Sequence, residues 1–366
     1  MEEFSVTIKP LTPIWTGDAN GKSSTLRETG IIGSLRWWYE ALIRGLGGYA
    51  CDPTDEISSN KRCKLEHDKF VKDRKEGKST KEALDNRKIC QACQLFGCTG
   101  WSRKFKLEMN FNTTIPEIWI GTRRRDLKRN VSGFMSDGTI TLIFVPLKEI
   151  SEDEWRLLNA TLNIIENYGA LGARISQGNG VIKIVKNRLP HVNEKIIQKF
   201  KNDYGDNNLP NLKDFFFYQF QLKFTKEVSE LIDKKVFWTH RNNHRNFPDN
   251  WENWKKLWND YYFLPIAFHV RDSLRPLEKD RNRRHNVFGE LGKGSKIFVS
   301  HGYKIDERTV EVRIFGHDID SIKNTIKDKL QENLKKNLFS NGIDDYLDSC
   351  SLSKEKVGRQ LLEGLK

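Results

Sequence analysis

The sequence predicts an α+β protein made of two units in tandem, each with the element order strand, helix, strand, strand, helix, strand. The chain has 366 residues, enough for two cores of ordinary size. In residues 4–186 the apolar side chains recur with strand and helix periods in that order. After residue 213 a similar succession begins again. This order is the one found in split β-α-β, or ferredoxin-like, domains.

The first unit is predicted from alternation of apolar and polar residues, which indicates strands, and from apolar residues three or four apart, which indicate helices. These patterns give strands at 4–9, 105–111, 139–145 and 181–185, and helices at 30–45 and from 151 onward. The second helix opens with a capping box formed by Ser151 and Glu154. A charged stretch that contains cysteines, at about residues 51–100, interrupts the unit. We therefore predict a first domain over residues 1–186 with an insertion.

The second unit follows a polar stretch, residues 187–213, which we interpret as a linker. Strands are predicted at 218–224, 296–300 and 309–315, with helices around 251–261 and 319–334. The last stretch, residues 351–366, has the pattern of a further helix where a strand is due. Residues 214–366 are therefore predicted to form a second ferredoxin-like domain, with extra helices, whose sheet is incomplete or modified.

Composition limits the function classes. The chain carries 62 Lys and Arg against 49 Asp and Glu, a formal charge of +13, which favours a polyanionic partner. No apolar run reaches the roughly 18 residues of a membrane helix, and the first ten residues have the pattern of a strand, so we expect a cytoplasmic protein without a membrane partner. The six cysteines are too few and too closely grouped for a secreted disulfide scaffold.

The segment from Gly169 to Gly180 is rich in glycine, but it follows a helix and precedes a strand. Nucleotide-binding loops have the opposite order, because their phosphate lies at a helix N-terminus. The bare backbone around Gly178, helped by Arg174 and Gln177, could instead approach an RNA phosphate chain. The alternative is that the glycines only allow two packed elements to approach closely.

The first helix offers two polar features. Arg36, Glu40 and Arg44 lie four residues apart, on a face away from the apolar stripe, where they could form a solvated ladder of ion pairs. At the start of the helix, Lys22 and Arg27 lie beside exposed backbone amides and could form an anion site.

Three further groups of basic residues are predicted to lie in connecting loops. Arginine suits bidentate contacts with phosphate and stacking on bases, so we expect RNA contacts there, although a charge run is usually solvated surface. The groups are Arg123, Arg124, Arg125, Lys128 and Arg129; Arg241, His244 and Arg245; and Arg281, Arg283 and Arg284.

A structural zinc site is predicted within the insertion. Cys63 and His67, with three residues between them, and Cys90 and Cys93, with two residues between them, each form a pair with a spacing that zinc ligands use. The alternatives are free thiols or Cys98 as a replacement ligand. No cofactor is expected for chemistry.

Catalytic groups are sparse. Asp18 could help to hold a metal for phosphodiester cleavage, and His240 with His244 could act as general base and acid in a metal-free ribonuclease. An endoribonuclease of ferredoxin-like fold is therefore the alternative function. A turn role for Asp18 and phosphate binding for the histidines are the simpler interpretations.

The stretch Glu28-Thr-Gly-Ile-Ile-Gly-Ser-Leu-Arg-Trp-Trp-Tyr-Glu-Ala-Leu-Ile-Arg-Gly-Leu-Gly-Gly48, with the downstream pattern Cys90-x2-Cys-x-Leu-Phe-Gly97, resembles the RAMP superfamily. More narrowly, the first half of the chain resembles the first-numbered subunits of the Cmr effector complex of type III-B CRISPR systems. The glycine-rich segment is similar to the glycine loop of this superfamily.

The resemblance implies a non-catalytic RNA-binding subunit that contacts guide RNA near its 3′ end and target RNA, beside other Cmr subunits. For the alternative function, the endoribonuclease, it implies CRISPR RNA as the substrate that is processed. It also implies that Arg36, Arg174 and the glycine-rich segment contact RNA. The sheet-surface aromatic motif of RRM proteins is missing from the sequence, and Lys104 and Lys106 are predicted on the open face of the second strand. Recognition is therefore expected through the RNA backbone and not through its bases.

Overall fold

The structure of the chain is a computed structural model. It describes residues 4–18, 20–54, 62–110, 118–121, 128–136, 138–190, 209–237, 252–290, 293–317, 319–338 and 346–365. For residues 119–121, 128, 129, 337 and 338 it describes the backbone alone.

The first unit is a four-stranded antiparallel sheet with two long helices, in the predicted ferredoxin-like order. Its sheet has the strand order β2-β5-β1-β6. The Ser151–Glu154 capping box is present at the start of α5, with both reciprocal hydrogen bonds. The elements are β1 Ser5–Pro10, α1 Glu28–Gly45, α2 His67–Lys75, α3 Thr80–Asn86, α4 Gln91–Phe96, β2 Phe105–Asn110, β3 Ile118–Gly121, β4 Lys128–Val131, β5 Ile140–Pro146, α5 Glu152–Asn167 and β6 Ile182–Asn187.

The second unit has a sheet of the same kind, with the order β12-β7-β11-β10-β8 and a short strand, β9, that also pairs with β11. Helices α8 and α10 contact each other, and α10 also contacts β12. The elements are β7 Phe215–Phe224, α6 Val228–Asp233, α7 Glu252–Tyr261, β8 Phe263–Leu264, α8 Ala267–Leu274, α9 Arg281–Phe288, β9 Ile297–Val299, β10 Gly302–Asp306, β11 Thr309–His317, α10 Asp320–Leu338, β12 Leu347–Val357 and α11 Gly358–Leu365.

The prediction of a missing last strand in the second unit was wrong. β12 pairs antiparallel with β7 along its length, and the terminal helix α11 begins only at Gly358. Most β12 side chains are exposed or half-buried, so the strand lacks the apolar alternation by which strands are recognised. A Cβ at Gly358 would lie 1.6 Å from the carbonyl oxygen of Leu212, so only glycine fits where the strand turns into the helix.

The two units share one apolar interface. Trp38 of α1 is buried, and its ring lies 5.7 Å from that of Phe215 and 5.8 Å from that of Phe315 in the second sheet. Arg313 of β11 is also buried and donates to the carbonyl oxygens of Gly169 and Ile165, at 3.0 and 3.3 Å. Helix α1 of the first unit therefore packs against the second sheet through Trp38.

Lys104 departs from the predicted open face. Its side chain is buried, and its Nζ lies 2.8 Å from a carboxylate oxygen of Glu154 in α5, whereas Lys106 is exposed. Among the described helices, none is both long and apolar enough to span a membrane.

Candidate functional site

Three predicted segments meet at the stretch that follows β1. The backbones of Ile14 and Phe134 exchange two hydrogen bonds, of 2.9 and 2.8 Å, and the amide of Ala173 donates to the carbonyl of Trp15 at 2.8 Å. Phe134 lies just after the β3–β4 hairpin, and Ala173 belongs to the glycine-rich segment. The base of the hairpin and the glycine-rich segment therefore flank Ile14 and Trp15 on two sides.

Arg174 is fixed over this meeting point. Its Cζ lies 4.0 Å from the ring centroid of Trp15, and its Nη2 donates to the carbonyl oxygen of Gly21 at 3.3 Å. The residue has a φ of 54°, which is uncommon outside glycine and indicates that the surroundings hold this conformation. The stacked guanidinium is half-buried, so it stays at the surface in one orientation.

The loop before α1 presents the other predicted cations. Lys22 and Arg27 are exposed, and the amide of Arg27 donates to Thr16 Oγ1 at 2.9 Å, which ties the helix start to the segment beside Trp15. Glu28 in the first helical turn is exposed as well and weakens the positive field there. Arg174, Lys22 and Arg27 thus lie around one loop.

Asp18 is a turn residue in this loop. Its Oδ1 accepts hydrogen bonds from the amides of Asn20 and Lys22, at 2.9 and 2.8 Å. The bond from the Lys22 amide is the main cause that holds the pKa of Asp18 below its usual value. This geometry corresponds to the simpler interpretation of Asp18.

At Gly178 the glycine-rich segment packs against the second unit, and the RNA contact expected there stays a prediction. Gly178 is buried, its carbonyl accepts from the amide of His301 at 2.9 Å, and its amide donates to Ile175. A Cβ would lie 2.6 Å from Ala267 and from the His301 ring. The bond between its carbonyl and the His301 amide therefore links the glycine-rich segment to the second unit. Gln177, by contrast, is half-buried.

Arg36 also departs from the prediction. Its Nε donates to Glu40 at 2.7 Å, its Nη1 to the carbonyl of Gly97 at 2.9 Å, and its Nη2 to the sulfur of Cys93 at 3.2 Å. The insertion covers this face of α1, and Glu40 is buried, so the predicted solvated ladder is an internal one. Burial raises the pKa of Glu40 to about 6, against the opposing effect of the Arg36 hydrogen bond.

The cysteine cluster contains Cys51 in place of His67. Sulfur atoms of Cys51, Cys63, Cys90 and Cys93 all lie within 4.8 Å of one another, and all four residues are buried. His67 is exposed at the start of α2. Between Cys63 and the helix the chain is extended, since Lys64 pairs with Thr99, and this carries the histidine away from the cluster. Sequence reasoning missed Cys51 because no other cysteine or histidine lies close to it in the sequence. The signal that could have found it is that the first four cysteines of the chain are Cys51, Cys63, Cys90 and Cys93.

Arg281, Arg283 and Arg284 lie on α9 and not in a loop, contrary to the prediction. Arg283 is near the carboxylates of Glu278 and Asp280, at 3.7 and 3.9 Å, and Arg284 donates to the carbonyl oxygen of Glu278 at 3.1 Å. These three arginines belong to the second unit, whereas the meeting point around Trp15 belongs to the first.

Lys128 and Arg129 lie on strand β4 and not in a loop, contrary to the prediction, and only their backbone is described. The other basic or histidine residues of the two loop groups lie outside the described residues: Arg123, Arg124, Arg125, His240, Arg241, His244 and Arg245. The hairpin that carries the first group is anchored by Asn179, whose side-chain amide donates to the carbonyl of Ser132 at 3.1 Å. The base of the hairpin therefore lies beside the glycine-rich segment.

Comparison with known protein families gives one match. Residues 7–183, nearly all of the first unit, match the model of the RAMP superfamily. Among curated proteins, none has a sequence that matches this chain.

Solved structures similar to the chain include Cmr1 from Pyrococcus furiosus in its apo form, with 13% identity, 86% of this chain and 87% of that chain covered, and a TM-score of 0.39. A chain of the type III-B Cmr-beta complex bound to cognate target RNA has 13% identity, coverage of 90% and 99%, and a TM-score of 0.37. A chain of a type IV-B CRISPR complex has 16% identity, coverage of 50% and 88%, and a TM-score of 0.32.

Proposed function

We propose that the chain is a non-catalytic RNA-binding subunit of a type III-B CRISPR (Cmr) effector complex, which contacts guide RNA near its 3′ end and target RNA. The observation that carries the proposal is the meeting of three basic segments around Ile14 and Trp15. The superfamily match of the first unit and the α1 motif that resembles first-numbered Cmr subunits support it.

The chemistry suits a sugar-phosphate chain. Arg174 offers a guanidinium held over an indole ring, which costs little entropy to engage, and Lys22 and Arg27 add exposed cations on the neighbouring loop. The adjoining hairpin carries Arg123, Arg124, Arg125, Lys128 and Arg129. Contacts of this kind supply affinity without sequence specificity, because phosphates are the same at every nucleotide. Guide pairing, in this proposal, supplies the sequence specificity.

A salt series tests the proposal. Each phosphate contact on a single strand contributes about 0.7 to the slope of log affinity against log salt concentration. The triple variant Lys22/Arg27/Arg174→Ala should therefore lower that slope by about 2, and Arg123/Arg124/Arg125→Ala should have a similar effect. Filter retention of guide RNA across the series measures both.

The matched control removes three exposed cations from α10, as Lys327/Lys329/Lys336→Ala. This variant loses the same net charge but leaves the segments around Trp15 intact, so its slope should stay near that of the unaltered chain. Equal slopes for all variants would rule out these segments as the RNA contact.

A cleavage assay tests the non-catalytic part separately. Repeat RNA incubated with the purified chain, with and without divalent metal, should stay intact. A discrete product that disappears in the His244→Ala variant would establish the endoribonuclease instead.

A further inference from the structure

The four buried cysteines have the spacing of ligands around one metal ion. The sulfur of Cys51 lies 3.4 Å from that of Cys93 and 3.9 Å from that of Cys90. A tetrahedral zinc with Zn–S bonds of about 2.3 Å places its sulfurs about 3.8 Å apart. A disulfide needs sulfurs about 2.05 Å apart, which none of these pairs has. A [2Fe–2S] or [4Fe–4S] cluster would hold the sulfurs that bind different irons further apart than the 4.8 Å within which all four of these lie.

The local backbone also has the form of a metal-binding knuckle. Cys90 caps α4, and its amide donates to the sulfur of Cys63 at 3.3 Å. Lys88, two residues earlier, has a φ of 55°, so the chain turns sharply before the Cys90-x2-Cys93 pair. An amide directed at a sulfur stabilises a thiolate, which is the form that binds metal.

We propose that Cys51, Cys63, Cys90 and Cys93 bind one zinc ion, and that the face of α1 formed by Arg36, Glu40 and Arg44 positions this centre. A zinc ion with four thiolates carries a net charge of about −2, which is costly in a buried site unless cations lie close to it. Arg36 supplies one such cation at 3.2 Å from the Cys93 sulfur.

Arg44 holds the opposite side of the centre. Its Nε donates to the carbonyl of Ala50 and its Nη2 to that of Cys51, both at 3.0 Å. Glu40 lies between the two arginines, 2.7 Å from Arg36 and 3.7 Å from Arg44. One helix face therefore fixes the first cysteine through its backbone and the last through its sulfur.

The consequence is a division of roles between two arginines that the sequence presents as equivalent RNA contacts. Arg174 faces the loop that carries Lys22, whereas Arg36 serves the metal centre and helps to hold the insertion, about residues 51–100, against α1. This assignment does not depend on the proposed RNA-binding function. Metal binding and RNA binding should therefore respond to different substitutions.

Metal analysis of the natively purified chain tests the proposal, with one zinc per chain expected. Replacement by Co(II) should give the intense sulfur-to-metal absorption and the visible bands of a tetrahedral thiolate site. Cys51→Ser should lose the metal, whereas His67→Ala and Cys98→Ser, the matched controls, should keep one zinc per chain. If Cys51→Ser fails to fold, chelation of the unaltered chain replaces it: removal of zinc should lower the Tm, and added zinc should restore it.

The role of Arg36 has its own readout. Arg36→Met should weaken zinc affinity by about 10- to 100-fold, as loss of a group that orients a ligand usually does, while the salt slope for RNA stays unchanged. A folded chain without zinc, an iron-containing chain, or loss of zinc in His67→Ala would overturn the assignment. A lower RNA slope in Arg36→Met with unaltered zinc affinity would overturn the role given to Arg36.

Discussion

Gly178 gives the sharpest prediction about how the two units are held together. Replacing it with alanine adds one methyl group, which would lie 2.6 Å from the Cβ of Ala267 and from the His301 ring, both of them buried. The backbone there has a φ of +116°, which L-residues rarely adopt. The backbone strain costs about 1–2 kcal/mol and the crowding about 1–3 kcal/mol, so we expect a loss of about 2–5 kcal/mol in the free energy of unfolding.

Gly21→Ala is the matched control for this substitution. Gly21 also has a positive φ, +69°, but a Cβ there would meet no atom within 4 Å. It should therefore lose only the backbone term of about 1–2 kcal/mol, and the difference between the two variants measures the crowding. Urea unfolding gives both values. A Gly178→Ala variant as stable as the unaltered chain, but with weaker RNA binding, would refute the packing role and support the predicted phosphate contact.

Three further perturbations test the interior. Burial lowers the pKa of His301 to about 3, so between pH 6.5 and 3 the unfolded chain binds a proton that the folded chain does not. As the pH is lowered through this range, the free energy of unfolding should decrease by up to about 1.4 kcal/mol per pH unit. Urea unfolding at several pH values measures this slope, which His301→Gln should flatten. Arg313→Met should cost about 1.5–3 kcal/mol in chemical unfolding, whereas Arg283→Met, an exposed control, should change stability by less than about 0.5 kcal/mol. Lys104→Met leaves Glu154 buried without its cation and should lower the free energy of unfolding by about 3–5 kcal/mol. The double variant Lys104→Met/Glu154→Gln should recover much of that loss, and equal losses in both variants would contradict the ion-pair account.

The sequence was sufficient for the four-stranded sheet and the two long helices of the first unit, because their periodicity is strong. The apolar spacing from Ile31 to Leu42 and the Ser151–Glu154 capping box each predict an element that the structure contains. β12 was missed because an edge strand with mostly exposed side chains has no period-2 apolar pattern. Strand pairing with β7, which local sequence does not encode, decides its conformation.

The candidate sites show the same limit. A polar face on a helix indicates solvent only if no other segment covers it, and the insertion covers Arg36 and Glu40. A glycine can leave room either for a ligand or for a neighbouring unit, and the sequence does not tell which of them packs against it. At Gly178 it is His301 of the second unit. Cys51 joins a ligand set from outside any short motif, since ligands are selected by their positions in space.

Crosslinking of 4-thiouridine-labelled guide RNA to the chain, followed by peptide mapping, tests the RNA interface most directly. The account predicts crosslinks within residues 14–27, 118–136 and 171–177, the three segments that surround Trp15. Crosslinks confined to α10 and β12, with none in those segments, would contradict it.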